Sequence, residues 1–510
     1  MNETSKTKRG WRILRRILIT LAVLATLIAA FYAEEDWRGR HGWESYKHEW
    51  DAKGEKFDLL ALVPQAVPDD QNFFTAPIFT NMLSGKIIML PYGDDGGPDY
   101  PMDTNRSGYA VYRMRMTDLS AWQNYYRHQT NVTLANRFPV MPQMQTPAAD
   151  VLYALSKFDS PIEQLRKASE RPYANVPIQY ENGVNASAAI LLPYLATLKR
   201  CTQLLQLRVS AELAAGQTTN ALADVKLSLY LNDSLRSSPF LISCLVRIAI
   251  VSIDLQPIWE GLAEHKWSDE QLAELDAELR KMDFLTDSQT VMRSEEATSI
   301  ATIDGWRQHR KEIATQSFER DAEGNRDHGV WDRIKNMANA ACLSWMPDGW
   351  YYQNELAVAR MHQAWDSKIV DAKKGIVSPE AIQEASLSDF HHKSLLWNLY
   401  AGKMLPLLGA FARKVAIIQV EVDLARTACA LERYRLAHGT YPETLDAIVP
   451  QYAQAIPRDI INGQPLHYRR TQDGNFVLYS VGWNETDDGG LPGTYVDAKT
   501  GDWVWQYPAK

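Results

Sequence analysis

The chain has 510 residues, 45% of them hydrophobic and 23% charged, which excludes a disordered chain or one wholly embedded in lipid and leaves room for two to four domains. The net charge of −8 is uneven: residues 1–16 carry +5, leaving −13 on the rest. An acidic body lacks the clustered Lys and Arg that phosphate backbones need, so no nucleic-acid partner is expected, and proteins, sugars, small molecules and cations stay open.

Residues 17–33 read ILITLAVLATLIAAFYA, with no charge, Pro or Gly. Such a run reaches the length of a membrane-spanning helix, and Trp11 and Tyr32 flank it where amphipathic rings favour the interface. Arg12, Arg15 and Arg16 precede it, and Glu34, Glu35 and Asp36 follow. The positive-inside rule then keeps the N-terminus in the cytosol and puts everything after residue 33 outside it. A cleaved signal peptide is the rival reading, but Phe31 would occupy the minus-three position of a cut after Ala33, where a small residue is preferred.

Residues 34–146 read as a charged, Trp-rich helix leaving the membrane and then a loop-rich region. Pro64, Pro68, Pro77, Pro91 and Pro98 break any long helix over 61–110, where loops with short strands are expected. Residues 147–413 read as an α-helical domain. The segments 193–215 and 220–235 form an antiparallel pair turning at Gly216 to Thr219, with Leu227, Leu231 and Leu235 on one face. The following stretch, FLISCLVRIAIVSIDLQPIW, is apolar enough to suggest a second span. Arg247 and Asp254 interrupt it, so it reads as a buried core helix kinked near Pro257.

Ser268 and Gln271 make a capping-box pattern before Leu272, Leu275, Leu279 and Met282. Further helices are expected over 286–316, 350–374 and 379–386, with a polar connection and a short helix over 317–348. No fixed repeat period emerges.

Residues 414–510 form a closing α+β module. Ile417, Val420, Leu424, Ala428 and Leu431 mark a helical stripe that Gly439 stops. Pro442 suits the first turn of a short second helix, with Glu443 at its positive end and Pro450 stopping it. The period then drops to two: PLHYRR and NFVLYSVG read as strands about a TQDG turn, and Tyr495–Val496 and WVWQY as a pair around DAKTG.

The module resembles the globular part of the major pseudopilin of type II secretion systems. The resemblance is carried by ALERYRLAHGTYPETLDAIVP (430–450), IPRD (456–459), NGQPLHYRR, FVLYSVGWN and the acidic loop ETDDGG, over roughly the last 85–95 residues. It implies the module's fold. It does not extend to filament assembly, because Gly10 is followed by Trp11 and the fifth residue onward is Arg15 where that family has Glu. The resemblance also implies that the acidic loop binds calcium, through Asp487 and Asp488 with Asn484, Glu485 and Asp497 nearby. Hard oxygen ligands in a turn suit that ion, while a solvated acidic turn is the plainer reading.

The four cysteines, Cys201, Cys244, Cys342 and Cys429, lack zinc-site spacing and read as buried thiols, with one disulfide left open. His391 and His392 are adjacent, diverge by about 100° on a helix, and read as surface residues. Motifs for zinc proteases, nucleophile elbows, phosphate loops and dinucleotides are missing, and no carboxylate dyad stands out. Of the 16 tryptophans, Trp37, Trp43 and Trp50 lie beside the anchor and read as packing residues.

The expected architecture is therefore mainly α: a single transmembrane helix, a large helical ectodomain and a small antiparallel sheet. The expected role is structural, docking other envelope proteins at the outer face of a bacterial cytoplasmic membrane in secretion or envelope assembly. The alternative is an anchored hydrolase whose site assembles only in the fold.

Overall fold

The structure is a computed structural model and describes residues 3–92, 97–98, 115–129, 137–178, 184–322, 344–387, 399–493 and 501–507. The helices in chain order are α1 (Glu3–Asp51), α2 (Pro77–Leu83), α3 (Leu119–Arg127), α4 (Pro147–Leu155), α5 (Asp159–Ala168), α6 (Val184–Ala214), α7 (Thr218–Asp233), α8 (Leu241–Ala263), α9 (Asp269–Leu279), α10 (Phe284–Ala322), α11 (Asp348–Ala364), α12 (Pro379–Leu387) and α13 (Leu399–His438). The strands are β1 (Val370–Asp371), β2 (Ile376–Val377), β3 (His467–Arg470), β4 (Phe476–Ser480) and β5 (Trp503–Gln506). The protein is thus mostly helical, with a small antiparallel sheet near its C-terminal end.

The chain forms two units that interleave in sequence: residues 1–61, 296–363 and 385–406 make one, and 62–295, 364–384 and 407–510 the other. In the first, α1 runs without a break from the apolar stretch into the charged residues beyond it. Its N-terminal part is long and apolar enough to cross a membrane, and none of its most apolar window is buried. Past Ala33 the same helix becomes a packing element. Glu35 accepts from Trp350 Nε1 at 2.9 Å, Gln353 Nε2 at 3.2 Å and Arg38 Nη2 at 2.7 Å, which offsets its burial. Trp43 is 3% exposed and packs on Tyr46 and Phe57, with ring centroids 6.1 and 5.6 Å away. Near the middle of α11, Asn354 Oδ1 accepts the Tyr400 N–H in the first turn of α13, at 3.1 Å.

In the second unit α6 and α7 form the expected hairpin, and Gly216 makes the turn at φ +74. Phe73, Phe74, Phe79, Trp122 and Tyr126 share their buried core with Leu191, Leu195, Leu198, Leu205 and Leu231. The helix α8 is buried, and its three charges are each partnered: Arg247 Nη2 pairs with Asp287 at 2.7 Å, Asp254 accepts from Ser228 Oγ at 2.5 Å and Glu260 from Thr117 Oγ1 at 2.7 Å. It passes through Pro257 as one helix. The capping box of α9 forms with both of its hydrogen bonds, at 3.0 and 3.3 Å.

Several expectations change. No strand occupies the described part of 61–110: the prolines leave short 3-10 turns and α2, which Pro77 opens. The helix expected over 350–374 ends earlier, and β1 and β2 form a hairpin at Gly375, φ +66. The short helix after Gly439 is a 3-10 turn over Leu445–Ile448 that begins after Pro442. The Pro442 carbonyl instead accepts from Tyr468 Oη at 2.7 Å, and Glu443 pairs with Arg470.

The sheet has the order β3-β4-β5, antiparallel throughout, with His467 opposite Tyr479 and Ser480 opposite Trp503. TQDG makes the β3–β4 turn, Gly474 lying at φ +84. The WVWQ strand therefore pairs with β4; Tyr495 and Val496 lie outside the described residues. Every residue of β4 is buried. In α13 the burial extends beyond the expected stripe to Ala416, Ile418, Val422, Ala425 and Cys429.

Candidate functional site

Five chain segments of the second unit meet around an open cleft of ≈ 390 Å3. Their separation in sequence explains why no linear motif marks it. The end of α9 supplies Asp276 and Arg280, and the start of α10 supplies Asp283 and Leu285. The β1–β2 turn adds Lys374, and the irregular segment 453–460 adds Ile456, Pro457 and Arg458. The helix α13 contributes Gln419, Asp423, Arg426 and Thr427, whose spacing puts them on one face.

The charges are largely matched to one another. Asp276 Oδ1 accepts from Arg426 Nε at 3.1 Å, and its Oδ2 pairs with Arg280. Asp423 Oδ1 accepts from Arg426 Nη1 at 3.3 Å. Gln419 is held between Phe284 N–H, which it accepts at 2.9 Å, and Asp423. Burial pushes the Asp423 carboxyl up to about 6 against the pull of Arg426 and Gln419, with Asp283 adding to the rise. Asp283 itself caps α10 through Thr286 N–H at 3.0 Å.

Two cations stand at the rim. Arg458 donates to the Gly463 carbonyl at 3.1 Å, and Lys374 pairs with Asp371 at 2.9 Å while its side chain is 75% exposed. The cleft therefore pairs its carboxylates internally and leaves N–H donors at its edge. Its lining includes no His, Cys or Ser, and the Thr427 hydroxyl is committed to the Asp423 carbonyl at 2.7 Å. A free hydroxyl, thiol or imidazole nucleophile is thus not among the lining side chains. The arrangement is chemically equipped to bind through charge and hydrogen bonds.

The acidic loop is tied into the sheet. Asp487 Oδ1 accepts from Gly489 N–H at 2.9 Å and Tyr479 Oη at 3.1 Å. Asp488 Oδ2 accepts from Gly501 N–H at 2.8 Å and Asn484 Nδ2 at 2.9 Å. Asp502 holds the other side through the N–H groups of Asp488 and Gly490, at 3.2 and 2.6 Å. Asp497 lies outside the described residues, as do His391 and His392. Among the described residues no group of three or more His, Cys, Asp or Glu is arranged to hold a metal ion.

Cys201, Cys244 and Cys429 are buried free thiols, and burial raises all three above the ordinary thiol range; Cys342 lies outside the described residues.

One cluster carried no signal in the sequence. Glu432, 1% exposed, accepts from Arg435 at 2.7 and 2.8 Å, from Tyr441 Oη at 2.7 Å, and bonds His265 Nδ1 at 2.9 Å. His265 adopts φ 55, the left-handed region, which would have pointed to it only with backbone geometry in hand. Burial opposes ionisation of Glu432, but the bonds from Arg435, His265 and Tyr441 prevail and hold it down to about 2. Such a satisfied clamp fixes the end of α13.

Comparison with protein-family models, curated proteins and solved structures finds no match for this chain.

Proposed function

We propose that this is a membrane-anchored docking protein, held by residues 17–33 with its body outside the cytosol, which serves secretion or envelope assembly by binding other envelope proteins. The observation that carries this reading is the cleft of ≈ 390 Å3, whose Asp276 and Asp423 carboxylates are paired to Arg280 and Arg426 while Lys374 and Arg458 stand at its rim. A lining of matched charges without a free hydroxyl, thiol or imidazole suits recognition of a polar protein segment better than hydrolysis. The apolar, exposed start of α1 and its basic flank support the anchor and its direction. The pseudopilin-like reading of the last segment accords with an envelope role and rests on the sequence motifs.

The test is affinity purification of the full chain from detergent extracts, beside a Lys374→Glu/Arg458→Glu variant. Both residues are exposed, so the variant should melt like the wild type. We expect envelope proteins captured by the wild type and lost by the variant. Identical captured sets would remove the cleft from the role. A reporter fused after Lys510 that is active only in the cytosol would overturn the orientation.

One observation favours the hydrolase alternative, the Asp423 carboxyl held near 6, within the range of a general acid. That reading requires Asp423→Asn to abolish turnover of a substrate by an otherwise normally folded protein.

A further inference from the structure

The large hydrophobic side chains exposed on the first unit include three tryptophans outside the apolar run, Trp11 at 72%, Trp37 at 68% and Trp345 at 77%. Trp345 is the most exposed of the three and, unlike the other two, lies outside α1, its backbone held to that helix by a hydrogen bond. Its carbonyl accepts from the Tyr32 hydroxyl, one residue before the end of the apolar run. The next carbonyl, that of Met346, accepts from Arg310 Nη1 at 3.0 Å. Arg310 also pairs with Asp348 at 2.8 Å, and the Gly349 N–H is held by Asp36 Oδ1 at 2.8 Å. Phe31 meets the Trp350 ring edge-on, centroids 6.2 Å apart.

The segment before α11 is therefore pinned to the last turn of the apolar run and the first acidic turn after it. A pinned backbone that leaves a whole indole in the open gains nothing from it in water, where burying so large a ring is favourable. At a bilayer boundary the same placement is favourable, because an indole puts its ring against the acyl region and its N–H among headgroups. The polar layer on each face of a bilayer is about 5–8 Å deep, comparable to the length of the side chain.

We propose that Trp345 is a second membrane contact, its indole seated in the headgroup layer of the bilayer that α1 crosses. The occupant is lipid, since the residue is fixed at the level where the apolar helix meets its charged continuation. The contact holds the first unit to the membrane at a point off the α1 axis and limits its rotation about the anchor. The inference rests on α1 crossing the bilayer and is independent of what the cleft binds.

The test uses the full chain in vesicles of phosphatidylcholine and phosphatidylglycerol, in a Cys342→Ser background where the three described cysteines are buried. Nitroxide labels are placed singly at Leu24→Cys, Trp345→Cys and Asp51→Cys, and their collisions with oxygen and with a water-soluble nickel chelate are compared. Unchanged melting confirms that each labelled chain is folded. We expect oxygen to dominate at position 24, nickel at position 51, and an oxygen-to-nickel ratio at 345 several-fold above that at 51. A label at 345 that behaves like the one at 51, or is shielded from both reagents, while position 24 is in lipid, overturns the proposal and leaves the anchor standing. Nickel-dominated collisions at position 24 overturn the anchor and the proposal together.

Discussion

The carboxylate of Asp36, on α1, accepts the backbone N–H of Gly349 at 2.8 Å and so caps the first turn of α11 from another helix. The first N–H groups of a helix lack intrahelical partners, and an acidic side chain there also meets the positive end of the helix dipole. Beside it, Gly39 and Gly349 bring the two backbones so close that a Cβ on Gly39 would collide with the Gly349 carbonyl, and one on Gly349 with the Glu35 carbonyl. We expect Asp36→Ala to cost about 1 kcal/mol, as caps do. Gly39→Ala should cost more, although alanine alone would favour the helix by about 1 kcal/mol. Thermal melts of both variants in detergent check the order; a stabilised Gly39→Ala would show that the helices do not touch there.

Glu355, on α11, is 2% exposed, and burial raises its carboxyl to about 8, with Asp304 and Glu44 adding to the rise and Arg307 and Lys47 opposing it. A folded-state value above the ordinary 4.5 means that the folded chain binds the proton more tightly than the unfolded one. Stability should therefore fall as pH climbs from about 4.5 to about 8 and level off above that. Glu355→Gln, which stays neutral, should melt higher than the wild type at the alkaline end and lose most of this slope. Parallel slopes in the two proteins would assign the dependence to other groups.

What the sequence disclosed was local. Ser268 and Gln271 cap α9 because a capping box needs only residues three apart, and Gly216 and Gly439 stop their helices because a positive φ favours glycine. Arg247 and Asp254 identify α8 as a core helix for the same reason that each has a hydrogen-bonded partner within the protein. The cleft was illegible because Asp276, Lys374, Asp423 and Arg458 come together only through tertiary packing, and each reads alone as a solvated charge. β1 falls inside the helix expected over 350–374, and β2 carries no strand signal, because each strand is two residues long, too short to show a period of two.

Glu432 should behave in the opposite sense to Glu355. Its folded value, held at about 2 by Arg435, His265 and Tyr441 against the cost of burial, lies below the ordinary 4.5. Its contribution is present above about 4.5 and is lost as pH falls toward 2. Glu432→Ala leaves Arg435 and His265 facing a gap and should cost about 3 kcal/mol at neutral pH. Glu432→Gln should cost less and flatten the acid limb of the stability curve, as read from urea titrations across that interval. A variant as stable as the wild type would mean that the clamp contributes no net stability.

Asp488 separates the two readings of the acidic loop. Its Oδ2 joins Gly501 N–H to Asn484 Nδ2, so Asp488→Ala should leave those donors poorly satisfied and cost about 1–3 kcal/mol whether or not calcium is present. A loop that holds itself together through such bonds should also melt at one temperature with and without millimolar calcium. A ligand that binds only the folded chain raises the melting temperature, by an amount that grows with the logarithm of its concentration once the site is filled. A rise with calcium that Asp487→Ala abolishes would therefore identify the loop as a cation site. A rise that survives that change would place the ion elsewhere in the chain.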